Sequence, residues 1–319
     1  LADGLTLSRW FSESGADGPD DHSSPAIWHG QKRRNIHEGR EPTYANLIGE
    51  GIRVLGGGVR TALDMTTLTL RLINRRFFEK NRSITLPLSA HKTPLNVVPG
   101  AARLLTATTY SLQTVKNIAH RNDVTVNDVL LTICDLAINR YFKEKGAELE
   151  APLVVYMPVS LRTKGDTEAG NLVSLLQVRL ASEMDQPLEA LQQIKESSLA
   201  AREVFSGFGK PAIQLYALTV ALLSMFEESL KLDKVLPPVQ NLVISNVPGP
   251  KKTLWFRGAE GLNAYPISTL PPMTALNVTA NSYAGVLHVG LVADRTALPD
   301  LDRLIAHMDA VYQELSELT

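Results

Sequence analysis

The spacing of apolar residues divides the chain into helical and extended segments. Residues 44–78 carry apolar positions at steps of mostly three or four, which predicts one long helix or two in tandem. Gly56, Gly57 and Gly58 interrupt this pattern at a helix cost of about 1 kcal/mol each, so a break or very close packing is expected there. The other predicted helices are 111–119, 124–141, 187–204, 211–230 and 300–318, and the predicted strands are 104–110, 153–159, 172–180, 242–244, 274–280 and 286–292.

Residues 241–250 combine an apolar run, a polar pair and a rigid ending, and read Asn-Leu-Val-Ile-Ser-Asn-Val-Pro-Gly-Pro. The apolar run predicts a short buried strand. The two prolines end it, because each removes a backbone donor and fixes φ, and Gly249 between them predicts a type II turn. Ser245 and Asn246 are then held at a sheet edge with little freedom. An ordinary exit from a strand into a turn has the same pattern, and local chemistry alone favours that simpler interpretation.

Composition indicates a soluble globular protein with balanced charge. The 319 residues are 44% hydrophobic and 20% charged, with 32 basic and 33 acidic side chains. This balance gives no electrostatic reason to expect a nucleic-acid partner. The length allows two lobes, since single cores stop growing at about 250–300 residues. The lone Cys134 cannot form an internal disulfide, in keeping with a reducing compartment.

No stretch of the sequence reaches the ~20 apolar residues of a membrane span. The longest candidate, residues 215–226, is expected to form a buried or interfacial helix. The polar region before residue 42 contains a basic run, Lys32-Arg33-Arg34, which is most simply a solvated surface, although it also suits anionic lipid headgroups.

Several kinds of active site do not fit the sequence. Residues 207–210 lack the spacing of a phosphate-binding loop, and no Gly-x-Ser-x-Gly elbow is present. The seven histidines show no metal-ligand spacing, and a structural role is the simpler interpretation of His288 within its strand. Each remaining polar motif stands at the end of an apolar segment and is also explained by a helix start, an ion pair or a turn. These motifs are Asp3-Gly4, Asn127-Asp128, Ser160-Leu161-Arg162, Gly170-Asn171 and Ser245-Asn246.

Taken together and in this order, the motifs resemble those of the bacterial wax ester synthase/acyl-CoA:diacylglycerol acyltransferase family. That family is part of a superfamily with chloramphenicol acetyltransferase and peptide-synthetase condensation domains. The resemblance covers the whole chain and implies the two-lobe fold of CoA-dependent acyltransferases. This is an α/β fold with mixed sheets and helices, an arrangement also described as α+β. Residues 1–42 would end the N-terminal lobe, 43–94 would form crossover helices and a linker, and 95–319 would form the C-terminal lobe.

The resemblance also gives the start of the chain a meaning. The family's active-site motif is His-His-x-x-x-Asp-Gly, and Asp3 and Gly4 look like its last two positions. Both histidines, including the general base, would precede Leu1, in a segment of the N-terminal lobe that is missing from this chain. Asp3 is expected to hold the motif loop, and our hypothesis is that it pairs with Arg162.

The resemblance assigns expected roles to further residues. Asn127, Asp128 and Asn171 are expected to support the site. Asn246 is expected to stabilise the oxyanion of the tetrahedral intermediate, with Asn277 as a second candidate. Residues expected on the substrate side are Ser245, Asn277, Met273, Leu276 and Ala280, of which the last three would line an apolar acyl or alcohol tunnel; plain core packing explains those three equally well.

The implied reaction transfers a fatty acyl group from acyl-CoA to a long-chain alcohol or to diacylglycerol. It requires no metal and no cofactor, because acyl-CoA is a substrate. The expected partners are these substrates, the missing N-terminal segment and a lipid droplet or membrane surface, and the protein is expected to be cytoplasmic with peripheral attachment to that surface. Two alternatives stay open: a condensation-type or other acyltransferase of the superfamily, and a non-catalytic lipid-binding or scaffold relative.

Overall fold

One six-stranded mixed sheet organises the part of the chain that the computed structural model describes, residues 58–78, 83–160, 173–232, 235–256 and 259–319. The strands are β1 (Arg103–Ser111), β2 (Val154–Ser160), β3 (Val173–Arg179), β4 (Leu242–Pro248), β5 (Trp255–Phe256), β6 (Ala259–Glu260), β7 (Leu276–Tyr283) and β8 (Val286–Asp294). The helices are α1 (Gly58–Ile73), which continues as a π-helical turn (Asn74–Phe78), α2 (Leu112–Arg121), α3 (Val126–Glu144), α4 (Pro187–Phe205), α5 (Lys210–Ser229) and α6 (Leu301–Glu317).

The sheet has the strand order β1-β8-β7-β4-β2-β3, and β5 and β6 form a separate two-stranded sheet. β4 lies between β7 and β2 and pairs in parallel with both, whereas the other pairs of the large sheet are antiparallel. The strands predicted at 274–280 and 286–292 are β7 and β8, which pair as a hairpin that turns at Ala284 and Gly285, both at positive φ. β4 is therefore the centre of the parallel part of the sheet.

Two hydrophobic cores lie on opposite faces of this sheet. Ile244 of β4 belongs to the larger core, which α2, α3 and α6 cover, whereas Val243 packs against the smaller core under α1 and α5. On β2, Val155 likewise belongs to the larger core and Tyr156 to the smaller one. Since successive side chains of a strand point to opposite faces, the continuous apolar run of β4 is the pattern of a strand buried on both sides.

The helix predicted from residue 124 begins as its sequence indicates. The N–H of Thr125 donates to the carboxylate of Asp128 at 2.8 Å, and the N–H of Asp128 donates back to the hydroxyl of Thr125 at 3.2 Å. This reciprocal capping box satisfies two backbone donors at the start of α3. It fixes Asn127, the second residue of α3, at the helix entrance.

Two buried asparagines fix the opposite, N-terminal ends of the parallel strands. The side chain of Asn241 accepts a hydrogen bond from the N–H of Val154 at 2.7 Å and donates to the carbonyl of His91 at 2.7 Å and to the side chain of Asn96 at 2.8 Å. Asn96 in turn donates to the carbonyl of Gln240 at 2.8 Å. The connector before β1 is thereby attached to the start of β2 and β4.

Asp135 is a carboxylate in the middle of α3 that is fully buried. It accepts hydrogen bonds from the hydroxyl of Ser182 at 2.5 Å and from the N–H of Ala181 at 2.8 Å, so it connects α3 to the exit of β3. Burial raises the pKa of Asp135 from 3.8 to about 6, although the two hydrogen bonds act in the opposite direction.

Replacing Asp135 by Asn is expected to make the protein less sensitive to pH. A carboxyl group with a raised folded-state pKa stabilises the fold below its unfolded value, and this contribution is lost as pH rises through the folded value. Relative to Asp135→Asn, the wild type should lose about 2 kcal/mol of unfolding free energy between about pH 4 and about pH 7. Urea unfolding of both proteins across this range measures it. If the difference between their unfolding free energies does not change with pH, the raised pKa of the buried Asp135 carboxyl is contradicted.

Candidate active site at the end of the central strands

The end of β4 is held against β7 by register and by a glycine. Ser245 pairs with Thr279 and Asn246 with Ala280. Gly249 follows the strand, and its N–H donates to the hydroxyl of Ser282 at 3.1 Å. A Cβ atom on Gly249 would overlap the backbone carbonyl of Ser282, so only glycine fits.

The predicted type II turn at Gly249 is wrong. A type II turn needs a positive φ at that position, and Gly249 is not among the described residues with positive φ. Glycine is required there for its lack of a side chain and not for its backbone freedom. The strand accordingly continues through Pro248.

Asn246 joins two of the sequence motifs. Its amide group lies on the sheet face that α3 covers, and its Nδ2 donates to Oδ1 of Asn127 at 2.7 Å. This bond links the end of β4 to the first turn of α3 across 119 positions of the sequence. The Oδ1 atom of Asn246 is buried and has no hydrogen-bond partner among the described residues.

Asp128 is directed back into the start of its own helix. It is 2% exposed, and one carboxylate oxygen accepts hydrogen bonds from both the N–H and the hydroxyl of Thr125. The other oxygen is buried and has no partner within the described ranges. The geometry is that of a group which supports the site by fixing the helix that carries Asn127.

Ser245 and Asn277 lie on the opposite face of the sheet from Asn246. Asn277 is 4% exposed; its Nδ2 donates to the carbonyl of Thr269 at 3.0 Å, and its Oδ1 accepts from the hydroxyl of Thr279 at 2.9 Å. Asn246 and Asn277 therefore do not face one common site. Ser245 is half-buried beside Thr279 on this second face.

The three residues predicted to line a tunnel have separate environments. Leu276 and Ala280 are fully buried in the larger core beneath the helices. Their position agrees with plain core packing, the alternative to a tunnel lining. Met273 is 3% exposed and adopts a positive φ of 57° in the turn that precedes β7. Leu276 and Ala280 thus share a face with Asn246, and not with Ser245.

An extended segment that we call the strap, residues 261–271, covers the second face of the sheet. Asn281 donates to the carbonyl of Ala264 at 3.3 Å, and the hydroxyl of Tyr283 donates to the carbonyl of Gly261 at 2.6 Å. The backbone of Pro266 lies where a Cβ atom of Gly290 would be. Sequence reasoning missed the strap, although an isolated glycine within the pattern of β8 is a signal for close backbone approach.

His288 lies beneath the strap and is fully buried. Its ring meets that of Tyr265 edge-on, with the centroids 5.0 Å apart, and neither ring nitrogen has a hydrogen-bond partner among the described residues. Burial lowers the pKa of His288, so the ring is neutral near pH 7. The packing is that of a core side chain, but ring nitrogens without partners among the described residues do not match a structural histidine with satisfied hydrogen bonds.

Four predicted site residues, Asp3, Gly4, Arg162 and Asn171, lie outside the described residues. Their roles, and the pairing of Asp3 with Arg162, stay predictions. The described residues bring together Asn127 and Asn246, place Ser245 and Asn277 on the other face, and include no cluster of three or more side chains suited to a metal ion.

The bond between Asn127 and Asn246 predicts unequal effects of two neighbouring substitutions. Asn246→Ala removes the donor and leaves Oδ1 of Asn127 without it, so the free energy of unfolding should fall by about 1–2 kcal/mol. Ser245→Ala, the matched control on the other face, should change it by less than about 0.5 kcal/mol. Urea unfolding at one pH measures both, and equal losses would contradict the assigned faces.

Comparisons with known proteins cover almost the whole chain. Residues 1–130 match the wax ester synthase/diacylglycerol acyltransferase catalytic domain, and residues 169–316 match the C-terminal domain of the same family. A probable diacylglycerol O-acyltransferase of Mycobacterium tuberculosis is 34% identical over 319 residues, which are 99% of this chain and 68% of that protein. An O-acyltransferase of Acinetobacter baylyi is 28% identical over 323 residues, covering 98% of this chain and 67% of that protein.

A solved structure has the same fold. The wax ester synthase/diacylglycerol acyltransferase of Marinobacter aquaeolei superposes with a TM-score of 0.66 at 24% identity, covering 99% of this chain and 65% of that one. This confirms the predicted α/β acyltransferase fold. The chain spans about two thirds of the length of these relatives. The predicted family is confirmed as well: the chain belongs to the wax ester synthase/diacylglycerol acyltransferase family of O-acyltransferases.

Proposed function

We propose that the protein transfers a fatty acyl group from acyl-CoA to the hydroxyl group of a long-chain alcohol or of diacylglycerol. Relatives of this chain are named as O-acyltransferases of diacylglycerol and as wax ester synthases, which supports this class of reaction. The observation that carries the proposal is the hydrogen bond between Asn127 and Asn246. This bond connects the family motifs Asn127-Asp128 and Ser245-Asn246 at the end of the central strand, where the sheet can hold a site rigidly.

The reaction needs a base and a group that stabilises the oxyanion. The hydroxyl of an alcohol has a pKa far above 7, so a neutral histidine is suited to take its proton as the oxygen attacks the thioester carbon. By the family motif, this histidine would precede Leu1, with Asp3 and Gly4 ending the same loop. The tetrahedral carbon then expels the CoA thiolate, and the ester remains as product.

Ser245 and Asn246 receive different roles in this proposal. They point to opposite faces of β4, so one acyl carbonyl cannot contact both. Both residues are half-buried, but the Nδ2 of Asn246 is occupied by its bond to Asn127 on the face of the larger core, whereas Ser245 lies beside Thr279 on the other face. We therefore assign Ser245 to contact with the substrate, and Asn246 to positioning the strand end in place of the predicted direct contact with the oxyanion.

Both the acceptor and the product are apolar, so we propose that the protein works at a membrane or lipid-inclusion surface. Of the two predicted contact regions, the basic run 32–34 lies outside the described residues. The stretch 215–226 lies within α5, where Tyr216, Val220 and Ser224 are buried against the sheet and only Phe226 is largely exposed. No single described helix is long and apolar enough to cross a bilayer; α4 and α5, bent by 118°, meet that test only as a pair.

The acyl-transfer activity can be tested with a panel of acceptors. The intact protein is incubated with radiolabelled palmitoyl-CoA and, in separate reactions, hexadecanol, diacylglycerol and hexadecylamine. Wax ester or triacylglycerol should form, with little amide. Preferential amide formation would indicate a condensation-type enzyme. Binding of palmitoyl-CoA without any transfer would indicate the non-catalytic relative.

The role of Ser245 predicts a loss of turnover without a loss of stability. Ser245→Ala removes one hydroxyl from the substrate side, and kcat/KM should fall at least about tenfold, the value of one good hydrogen bond. The matched control is Ser198→Ala in α4, which removes a fully buried hydroxyl without a hydrogen-bond partner in the described structure. If both variants turn over as fast as the wild type, Ser245 does not contact the substrate.

A further inference from the structure

α1 and its π-helical turn are apolar on two faces, and only one face has a partner. Leu68 and Leu72 are buried in the smaller core against α4 and α5. Leu63, Leu70 and Ile73, at steps of seven and three, lie on another face and are 61%, 60% and 39% exposed. Phe77 and Phe78 follow at 61% and 77%. The segment 63–78 thus exposes five large apolar side chains within sixteen positions.

The outward face of this segment carries no charge. Between Leu63 and Phe78, the exposed side chains are the five apolar ones above and Thr66, Thr67, Thr69 and Asn74. The sequence from Met65 to Phe78 contains no acidic residue. A solvated helix face normally carries charged side chains, so this surface is built for a less polar environment than water.

Three arginines flank the outward face. Arg71 donates to the carbonyls of Val204 at 3.2 Å and Ser206 at 2.7 Å and lies over the ring of Phe208 at 4.4 Å, and none of these three described contacts is with a carboxylate. Arg75 pairs with Glu203 at 3.1 Å, and Arg76 lies near the ring of Phe77 at 5.9 Å. Against these three arginines the described segment and its ion pair place two carboxylates, Asp64 and Glu203, so positive charge exceeds negative charge by one.

We propose that this face, Leu63, Leu70, Ile73, Phe77 and Phe78 with the flanking Arg71, Arg75 and Arg76, is the surface that docks on an anionic lipid layer. An uncharged apolar face bordered by arginines, with aromatic side chains at one end, matches a helix that lies in the headgroup region, where the arginines meet phosphates. The choice of a lipid partner rests on the proposed function. α1 is then a third contact region, beside the two that the sequence offered, residues 215–226 and the basic run 32–34.

Vesicle binding tests this surface. The intact protein is sedimented with vesicles of phosphatidylcholine alone and with vesicles that also contain phosphatidylglycerol. Binding should require the anionic lipid and weaken with salt. The double variant Leu70→Ser/Phe77→Ser should bind at least about tenfold more weakly, since each side chain loses its apolar burial. Both positions are exposed, so the thermal unfolding midpoint should not change.

Two controls separate this idea from its rivals. The matched variant Leu262→Ser removes an exposed leucine from the strap and should bind vesicles like the wild type. Wild-type-like binding by the double variant, or no binding by the wild type, would overturn the proposal. So would light scattering in which the double substitution converts a dimer to a monomer, because the face would then belong to a second copy. Acyl transfer by the wild-type protein to short-chain alcohols in solution, measured without vesicles, tests the proposed function separately.

Discussion

Parallel pairing on both edges of β4 is the constraint on which the rest of the described structure depends. A strand bonded to β2 on one side and β7 on the other cannot shift along its axis without breaking both ladders. Gly249 then allows the chain to leave the strand in contact with the backbone of β7. The polar pair at the end of β4 is therefore held in place by the sheet, and no flexible loop intervenes.

The same pairing divides the polar residues between two environments. Asn246 faces α3 and closes a long loop through its bond to Asn127, whereas Ser245 faces the side that carries Asn277 and the strap. A net hydrogen bond contributes only about 1 kcal/mol, but an unpaired buried amide costs more, so the bond between Asn127 and Asn246 selects one arrangement more than it adds stability. Through it, the start of α3 and the end of β4 act as one rigid unit.

Local sequence signals predicted much of this part of the fold. The spacing of apolar residues located α3 to α6 and the strands β7 and β8, and it placed the start of α3 within two residues of its position in the structure. These features are set by neighbouring residues or by short motifs, so they can be read without knowing the tertiary structure. The motifs of Asn127 and Asn246, two of those that carry the family resemblance, are in contact in the structure.

What the sequence did not reveal depends on contacts between distant segments. The turn at Gly249 was misjudged because the requirement for glycine comes from Ser282 on another strand. Asn277 and Asn246 were both expected at the oxyanion, but they lie on opposite faces of the sheet. Which face each side chain occupies follows from the register of β4 against β7, which the sequence does not show. The strap has neither a helical nor a strand period, and its position follows only from side chains of β7 such as Asn281.

The central claim is that Asn127 and Asn246 act together to position the end of β4 for acyl transfer. A double-mutant cycle of Asn127→Ala and Asn246→Ala, read as kcat/KM for transfer from palmitoyl-CoA to hexadecanol by the intact protein, tests it most directly. Because the two side chains share one hydrogen bond, the double variant should lose little more than either single variant, with an interaction energy of about 1 kcal/mol or more. Losses that simply add, or single variants with wild-type kcat/KM and lowered stability only, would contradict it.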